Sequence, residues 1–197
     1  KELLFKGIKP LMLGGEHSIS SGAVKASAEY TPDLILIQLD AHADLREEWL
    51  GSHHSHACAM RRCLDVLPSK QIFQLGIRSG TQEEFETLKE LKGYISHRHG
   101  QTATYLEEAL APHLGKPLYL TVDLDWFDPS VMPGTGTPEP GGFFWKDFAA
   151  VVEVLKRHQL VGADIVELSP QLDPSGISSI LAAKITRSLI MLLSTSK

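Results

Sequence analysis

The sequence predicts an α/β fold, a three-layer sandwich with a mostly parallel central sheet. Three observations predict it. Strand-type and helix-type segments alternate along nearly the whole chain. The strand segments are apolar throughout rather than on one face, as in Leu34-Ile35-Leu36-Ile37-Gln38-Leu39, which marks strands covered on both sides and hence parallel pairing. Acids and imidazoles sit at the carboxyl ends of these runs, where open parallel sheets bind their ligands. The 197 residues suffice for a real core, and no repeat or low-complexity segment divides them, so residues 1–197 are expected to form a single domain.

A short helix tail is expected over 2–6 and a short strand over 10–13. Gly14-Gly15 turns that strand into a helix over 19–30. Thr31-Pro32-Asp33 stops the helix, because a residue before proline is pushed out of helical conformation, and the strand 34–39 follows. After a polar loop over 47–55 comes a helix over 56–67, closed by Pro68. A strand over 71–77, a helix over 83–91, a short strand over 94–95 and a helix over 102–110 come next. Residues 117–122 form a second apolar strand ending in acids, and the Pro- and Gly-rich stretch 129–142 reads as a long loop. A helix over 145–158, a strand over 160–168 and a helix over 178–193 complete the chain. The last helix carries apolar residues at Ile180, Leu181, Ala183, Ile185, Leu189 and Leu192.

Composition narrows the partners. The net charge of −5 offers no basic field for nucleic acid or an anionic membrane, and no unbroken apolar run approaches the roughly 20 residues of a membrane helix. Cys58 and Cys63 are spaced as neither a zinc knuckle nor a redox pair, and read as two reduced thiols suited to a cytoplasmic protein.

Three stretches carry the chemistry. Asp40-Ala41-His42-Ala43-Asp44 follows the strand 34–39 with ligand-type residues at alternate positions, which in extended backbone share one face. Asp123-Leu124-Asp125 follows the strand 117–122, with Asp128 just beyond, and His17 follows the first strand. Side by side, such groups repel or demand a cation. An Asp and His set without thiolate favours Mn, Fe, Zn, Co or Ni, and the three strand ends are expected to meet around two divalent ions that activate water. Taken singly, each acid could instead cap a turn or a helix.

Gly14-Gly15-Glu16-His17-Ser18, Asp40-Ala41-His42-Ala43-Asp44, Asp123-Leu124-Asp125-Trp126-Phe127-Asp128-Pro129 and Pro133-Gly134-Thr135-Gly136-Thr137-Pro138 resemble, in this order, the signature blocks of the ureohydrolases, the arginase and agmatinase family. The resemblance runs from His17 to the final helix. It implies an arginase-like α/β fold and two Mn2+ ions per subunit, at which a guanidino group is hydrolysed with release of urea. It implies one metal held by His17, Asp40, Asp44 and Asp123 and another by His42, Asp40, Asp123 and Asp125, with Asp40 and Asp123 bridging. Asp44 would also orient the bridging hydroxide, Glu167 would pair with the guanidinium, and His56 would shuttle protons. Independently of the resemblance, a carboxylate suits a planar cation through charge-assisted hydrogen bonds, and imidazole suits protonation of a leaving amine. The resemblance further implies trimers or hexamers of identical subunits, and a family segment ahead of the Gly-Gly-Glu-His block that this sequence does not include.

Within that family, Asp44-Leu45-Arg46-Glu47-Glu48-Trp49 lacks the asparagine expected for arginine recognition. Glu16 and the stretch from Ser55 to Arg62 lean toward agmatinase-like members. Agmatine carries a second cation and no carboxylate, so Glu47 or Glu48 near the cleft could favour it. The expected activity is manganese-dependent hydrolysis of agmatine to putrescine and urea. The alternatives are another guanidino substrate (guanidinobutyrate, arginine or guanidine), a non-catalytic metal-binding homologue, or a dinuclear phosphoesterase. The last would want more His and an Asn among the ligands and gives Glu167 no task.

Overall fold

The computed structural model describes residues 1–91, 93–95 and 100–195. Six strands, β1 (Leu11–Leu13), β2 (Ile35–Leu39), β3 (Ile72–Leu75), β4 (Tyr94–Ile95), β5 (Pro117–Asp123) and β6 (Gln159–Val166), form one sheet in the order β1-β6-β5-β2-β3-β4. Every neighbouring pair is parallel, as the uniformly apolar strands predict. The helices are α1 (Glu2–Phe5), α2 (Ile19–Tyr30), α3 (Ala59–Leu64), α4 (Gln82–Glu90), α5 (Thr102–Leu110), α6 (Trp145–Leu155) and α7 (Ile177–Thr195).

Side-chain alternation along β2 builds both outer layers. Ile35, Ile37 and Leu39 join a core cluster with Leu106 of α5, Phe148 of α6 and Ile185 of α7. Leu34 and Leu36 join another with Val24 of α2, Met60 of α3 and Leu88 of α4. The expected three-layer α/β sandwich is therefore present. By length and apolar composition α7 could cross a membrane, but Ala182, Ile185, Leu189 and Leu192 are buried in the first cluster.

The strand order sets where the acids meet. From β2 the chain steps outward through β3 to β4, then returns to lay β5 on the other side of β2, with β6 beyond it. Such a reversal leaves a crevice beyond the carboxyl ends of the central pair, here β2 and β5. Asp40 follows the one, and Asp123 ends the other.

Several expected elements end early, and two of them have a clear cause. The helix over 56–67 is a 3-10 turn, His56–Cys58, followed by α3. The loop after Asp44 draws it out of shape: Arg46 N–H donates to the Ala57 carbonyl at 3.1 Å and Arg61 N–H to the Asp44 carbonyl at 2.9 Å. The strand over 71–77 ends at Leu75, because Gly76 takes φ +97° and the Trp126 ring fills the space where a Cβ would lie.

Candidate active site

His17 is the hub of the site. It is fully buried, and its Nδ1 lies 2.9 Å from Asp44 Oδ2, 3.1 Å from Asp40 Oδ2 and 3.2 Å from Asp123 Oδ2. One ring nitrogen carries at most one proton and cannot serve three carboxylates. None of the approaches has hydrogen-bond geometry, so this buried nitrogen is orphaned. The other ring nitrogen, Nε2, is 3.0 Å from Thr121 Oγ1.

A second cluster adjoins the first. His42 Nδ1 is 2.9 Å from Asp125 Oδ2 and 3.7 Å from Asp40 Oδ1. Donor atoms of His17, Asp40 and Asp44 lie within 4.8 Å of one another, and so do those of Asp40, His42 and Asp125. Asp40 belongs to both sets and presents a different oxygen to each histidine. The nitrogen without a partner, the all-Asp/His donor set and the shared carboxylate fit two adjacent divalent cations of borderline-hard type.

The electrostatics agree. Four buried carboxylates face two imidazoles. Burial opposes charge on His17, yet Asp123, Asp40 and Asp44 outweigh it and push its pKa well above the ordinary value. Burial likewise opposes charge on His42, but Asp125 and Asp40 raise its pKa to about 11. Burial pushes Asp40 up, and the two histidines more than reverse that and hold it low. Burial and the charge of Asp40 raise Asp44 to about 7. Burial first, then neighbouring acids, also pushes Asp123 and Asp125 above the usual carboxylate range. Positive charge is in deficit here, and a cation would relieve it.

The route by which the acids converge differs from strand alternation. β2 ends at Leu39, and the 40–44 segment is not a strand. Asp44 turns inward at φ +54°. Asp125 lies in a 3-10 turn, Leu124–Trp126, whose N-cap is Asp123: Asp125 N–H donates to Asp123 Oδ1 at 3.0 Å. Asp125 Oδ1 in turn accepts from the Ala41 N–H at 3.0 Å, tying the two strand ends together. Asp128 takes no part; it organises the Pro/Gly loop by accepting from Ser130, Gly141 and Gly142.

Glu167 follows β6 at φ +66°. It is one of four non-glycine residues with positive φ among the described residues, and with Asp44 it puts two of them at the site, where strained backbone tends to collect. Its Oε1 accepts from the His17 N–H at 2.7 Å, and burial raises its pKa. His56 stands apart from both clusters, 3.2 Å from Glu16 and partly exposed, on the wall of a cavity of about 230 Å³ that His42, Asp44, Trp49 and Thr137 also line. The expectation for Glu47 and Glu48 fails. Neither lines this cavity, and Glu47 is taken by Arg61 and Arg62, each at 2.8 Å.

Several positioning residues escaped the sequence reading. Gln38 donates to Asp40 Oδ2 at 2.6 Å, and Gln74 braces Gln38 at 2.6 Å and the Ala43 carbonyl at 2.8 Å. Their only signal was an amide interrupting each apolar run. Glu84, in the capping box of α4, accepts from the Leu45 N–H at 2.9 Å. The Arg78 guanidinium donates to the carbonyls of Asp125 at 2.7 Å, Glu139 at 2.9 Å and Pro140 at 3.2 Å, fastening the 139–140 stretch over the Asp125 turn.

Comparison with known proteins identifies the family. The Arginase family model matches residues 1–192. The chain belongs to the arginase family. An agmatinase of Halalkalibacterium halodurans is 38% identical over 184 residues, covering 92% of this chain and 63% of the relative. An N(1)-aminopropylagmatine ureohydrolase of Synechocystis is 37% identical over 183 residues, covering 90% and 58%. A crystal structure of a Clostridium difficile protein provisionally named an agmatinase superposes with a TM-score of 0.91 at 42% identity, covering 98% of this chain and 70% of that one. The arginase-family fold is thus the expected one. The chain spans 63–66% of the length of the agmatinases it matches first, just under two thirds.

Proposed function

We propose that the chain is a metal-dependent amidinohydrolase that cleaves agmatine to putrescine and urea, with two manganese ions per subunit. One observation carries this reading: the buried Nδ1 of His17 faces three carboxylates at 2.9–3.2 Å and has no hydrogen bond. His17, Asp40, Asp44 and Asp123 would hold one ion, and His42, Asp40, Asp123 and Asp125 the other. Bound there, the ions would supply a water that loses its proton near neutral pH.

The chain's own residues do the rest. Glu167 has one oxygen fixed by the His17 N–H. Its second oxygen has no partner among the described residues and accepts from the substrate guanidinium, orienting the planar cation. Asp44 holds the attacking water in line. His56, at the cavity wall beside Glu16, carries a proton to the departing amine. Among the described residues, Arg46 is the one lysine or arginine on the cavity wall, and it is committed to Glu84 at 3.5 Å and to the Trp49 ring at 4.2 Å. A substrate carboxylate therefore finds no free lysine or arginine there among the described residues, which favours agmatine over arginine or guanidinobutyrate. The compounds for which two relatives are named, agmatine and N(1)-aminopropylagmatine, both carry a cationic tail and no carboxylate.

The test is urea release from agmatine, N(1)-aminopropylagmatine, arginine, guanidinobutyrate and guanidine after manganese loading. Agmatine should be turned over fastest, and Asp123→Asn should abolish turnover. Full activity in that variant would refute the metal mechanism. Bound metal with no urea from any of the five would make the chain a non-catalytic homologue.

A further inference from the structure

A substrate with a cationic tail needs an acid at its far end, and Glu47 and Glu48 stand off the cavity. Besides the proposed metal ligands, Glu84 lines the cavity, while Glu16 and Glu139 touch residues that line it or stand on its wall. Glu84 is buried and spent: its Oε1 accepts from the Leu45 N–H at 2.9 Å and its Oε2 from the Thr81 N–H at 2.8 Å. Glu16 is spent as well, with Oε2 accepting from the Ser18 N–H at 3.1 Å and Oε1 facing His56 at 3.2 Å. Glu139 is different. Its Oε1 accepts from the Ser79 hydroxyl at 2.8 Å, and its Oε2 has no partner among the described residues. The side chain is 35% exposed, enough for a ligand to reach it. No lysine or arginine pairs with the carboxylate among the described residues, because Arg78, which lies close by, gives its hydrogens to backbone carbonyls.

Glu139 is also held in place before any substrate arrives. Arg78 staples its backbone by the carbonyls of Glu139 at 2.9 Å and Pro140 at 3.2 Å, and Ser79 fixes its side chain, so little freedom is lost on binding. Its Oε1 lies 3.6 Å from His42 Nε2, beyond hydrogen-bond reach. His42 belongs to the second cluster, whereas Glu167 sits against His17 of the first. The two carboxylates with an oxygen to spare therefore stand one beside each histidine. A guanidinium and an ammonium joined by a four-carbon spacer call for two such acceptors. The ammonium brings three hydrogens, and the Ser79 hydroxyl, having donated to Glu139, keeps lone pairs for another of them. We infer that Glu139 is a specificity-determining residue that accepts from the tail ammonium of the substrate while Glu167 takes the guanidinium. This rests on the amidinohydrolase reading above.

The experiment compares urea release from agmatine and from pentylguanidine, in which a methyl replaces the tail ammonium, by the manganese-loaded wild type, Glu139→Gln, Glu139→Lys and Glu48→Gln. Glutamine keeps the shape and the acceptor for Ser79 but loses the charge. The ratio of kcat/KM for agmatine to that for pentylguanidine should fall about 10-fold in Glu139→Gln, the low end for a charge-assisted hydrogen bond, as suits a partly exposed site. Glu48→Gln should leave the ratio unchanged. Glu139→Lys should turn the preference from agmatine toward guanidinobutyrate, whose tail is a carboxylate. Mn2+ titration calorimetry should find the same affinity in Glu139→Gln as in wild type. An unchanged ratio in Glu139→Gln overturns the assignment of Glu139 and leaves the amidinohydrolase reading standing. Equal loss on both substrates with weakened Mn2+ binding also overturns it, since Glu139 would then act through His42. Should Glu139→Gln not fold, Glu139→Lys decides, and a retained preference for agmatine overturns the assignment. A wild-type chain that releases urea from no guanidine overturns the amidinohydrolase reading and this assignment together.

Discussion

Gly76 is the sharpest test of how the fold holds the site. It follows β3 at φ +97°, and a Cβ there would lie 2.4 Å from Trp126 Cδ1 and Nε1 and 2.9 Å from the Asp40 carbonyl oxygen. Trp126 cannot swing away: it is fully buried, stacked on Phe143 at 4.3 Å and edge-on to Phe127 at 5.1 Å. Gly76→Ala therefore carries two costs. Left-handed backbone costs an alanine about 1–2 kcal/mol, and forcing a methyl into packed space costs about 1–3 kcal/mol more. The sum, about 2–5 kcal/mol, is a large share of the 5–15 kcal/mol typical of a domain. Gly115→Ala is the control, since Gly115 has φ +80° but nothing within 4 Å of its would-be Cβ, leaving only the backbone cost of about 1–2 kcal/mol. Urea denaturation of both variants separates the two terms. Because the overlap involves the backbone of Asp40 and the turn containing Asp125, any relief displaces two of the proposed ligands, and manganese affinity should fall in Gly76→Ala and stay unchanged in Gly115→Ala. Equal destabilisation of the two variants, with affinity intact in both, would refute the reasoning.

Other outcomes rest on the same geometry. In the metal-free chain His42 titrates near 11 and Asp44 near 7, so between about pH 4 and 11 the folded state holds protons the unfolded state has released. Stability then falls as pH rises, while Asp40, held low, acts only below about pH 4. With EDTA the Tm should be higher at about pH 5.5 than at about pH 8.5, and saturating manganese should reverse that order; a Tm that rises with pH in EDTA counts against the buried acid cluster. Arg78→Lys keeps the charge but loses the fork that grips the carbonyls of Asp125 and Glu139, so it should cost about 1.5–3 kcal/mol in urea melts and expose the 136–142 loop to protease. Glu167→Gln should lower kcat/KM for agmatine at least about 10-fold, the worth of one charge-assisted hydrogen bond, with manganese affinity retained. Cys58 and Cys63 are buried, and burial pushes the Cys63 thiol up to about 12, so a thiol reagent should react slowly with the native chain and with two thiols once it is unfolded.

The layered α/β architecture and the site's acids and imidazoles were legible from order and periodicity alone, because an apolar strand run and the polar residue that stops it are local properties. Asp40 and Asp123 could be recognised as strand-end residues without coordinates. How they meet could not: alternation suggested a flat row, whereas Asp44 reaches His17 through a left-handed turn and Asp125 is placed by a 3-10 turn. Glu47 and Glu48 carried the right charge for a cationic tail, yet Glu47 went to Arg61 and Arg62, whose approach depends on the packing of α3.

By itself the amino-acid order determined which segments become strands, which residue types end them, and that those residues crowd negative charge at one end of a sheet. The tertiary structure alone decided which strands are neighbours. The order β1-β6-β5-β2-β3-β4 puts β2 beside β5, and so Asp40 within reach of Asp125, 85 positions along the chain. It also brings Arg78 onto the Asp125 carbonyl and Asp164 beside Thr121. The physical reason is that these pairings gain their energy from burial and hydrogen bonds between segments distant in sequence, and no local periodicity records which distant partner will be there.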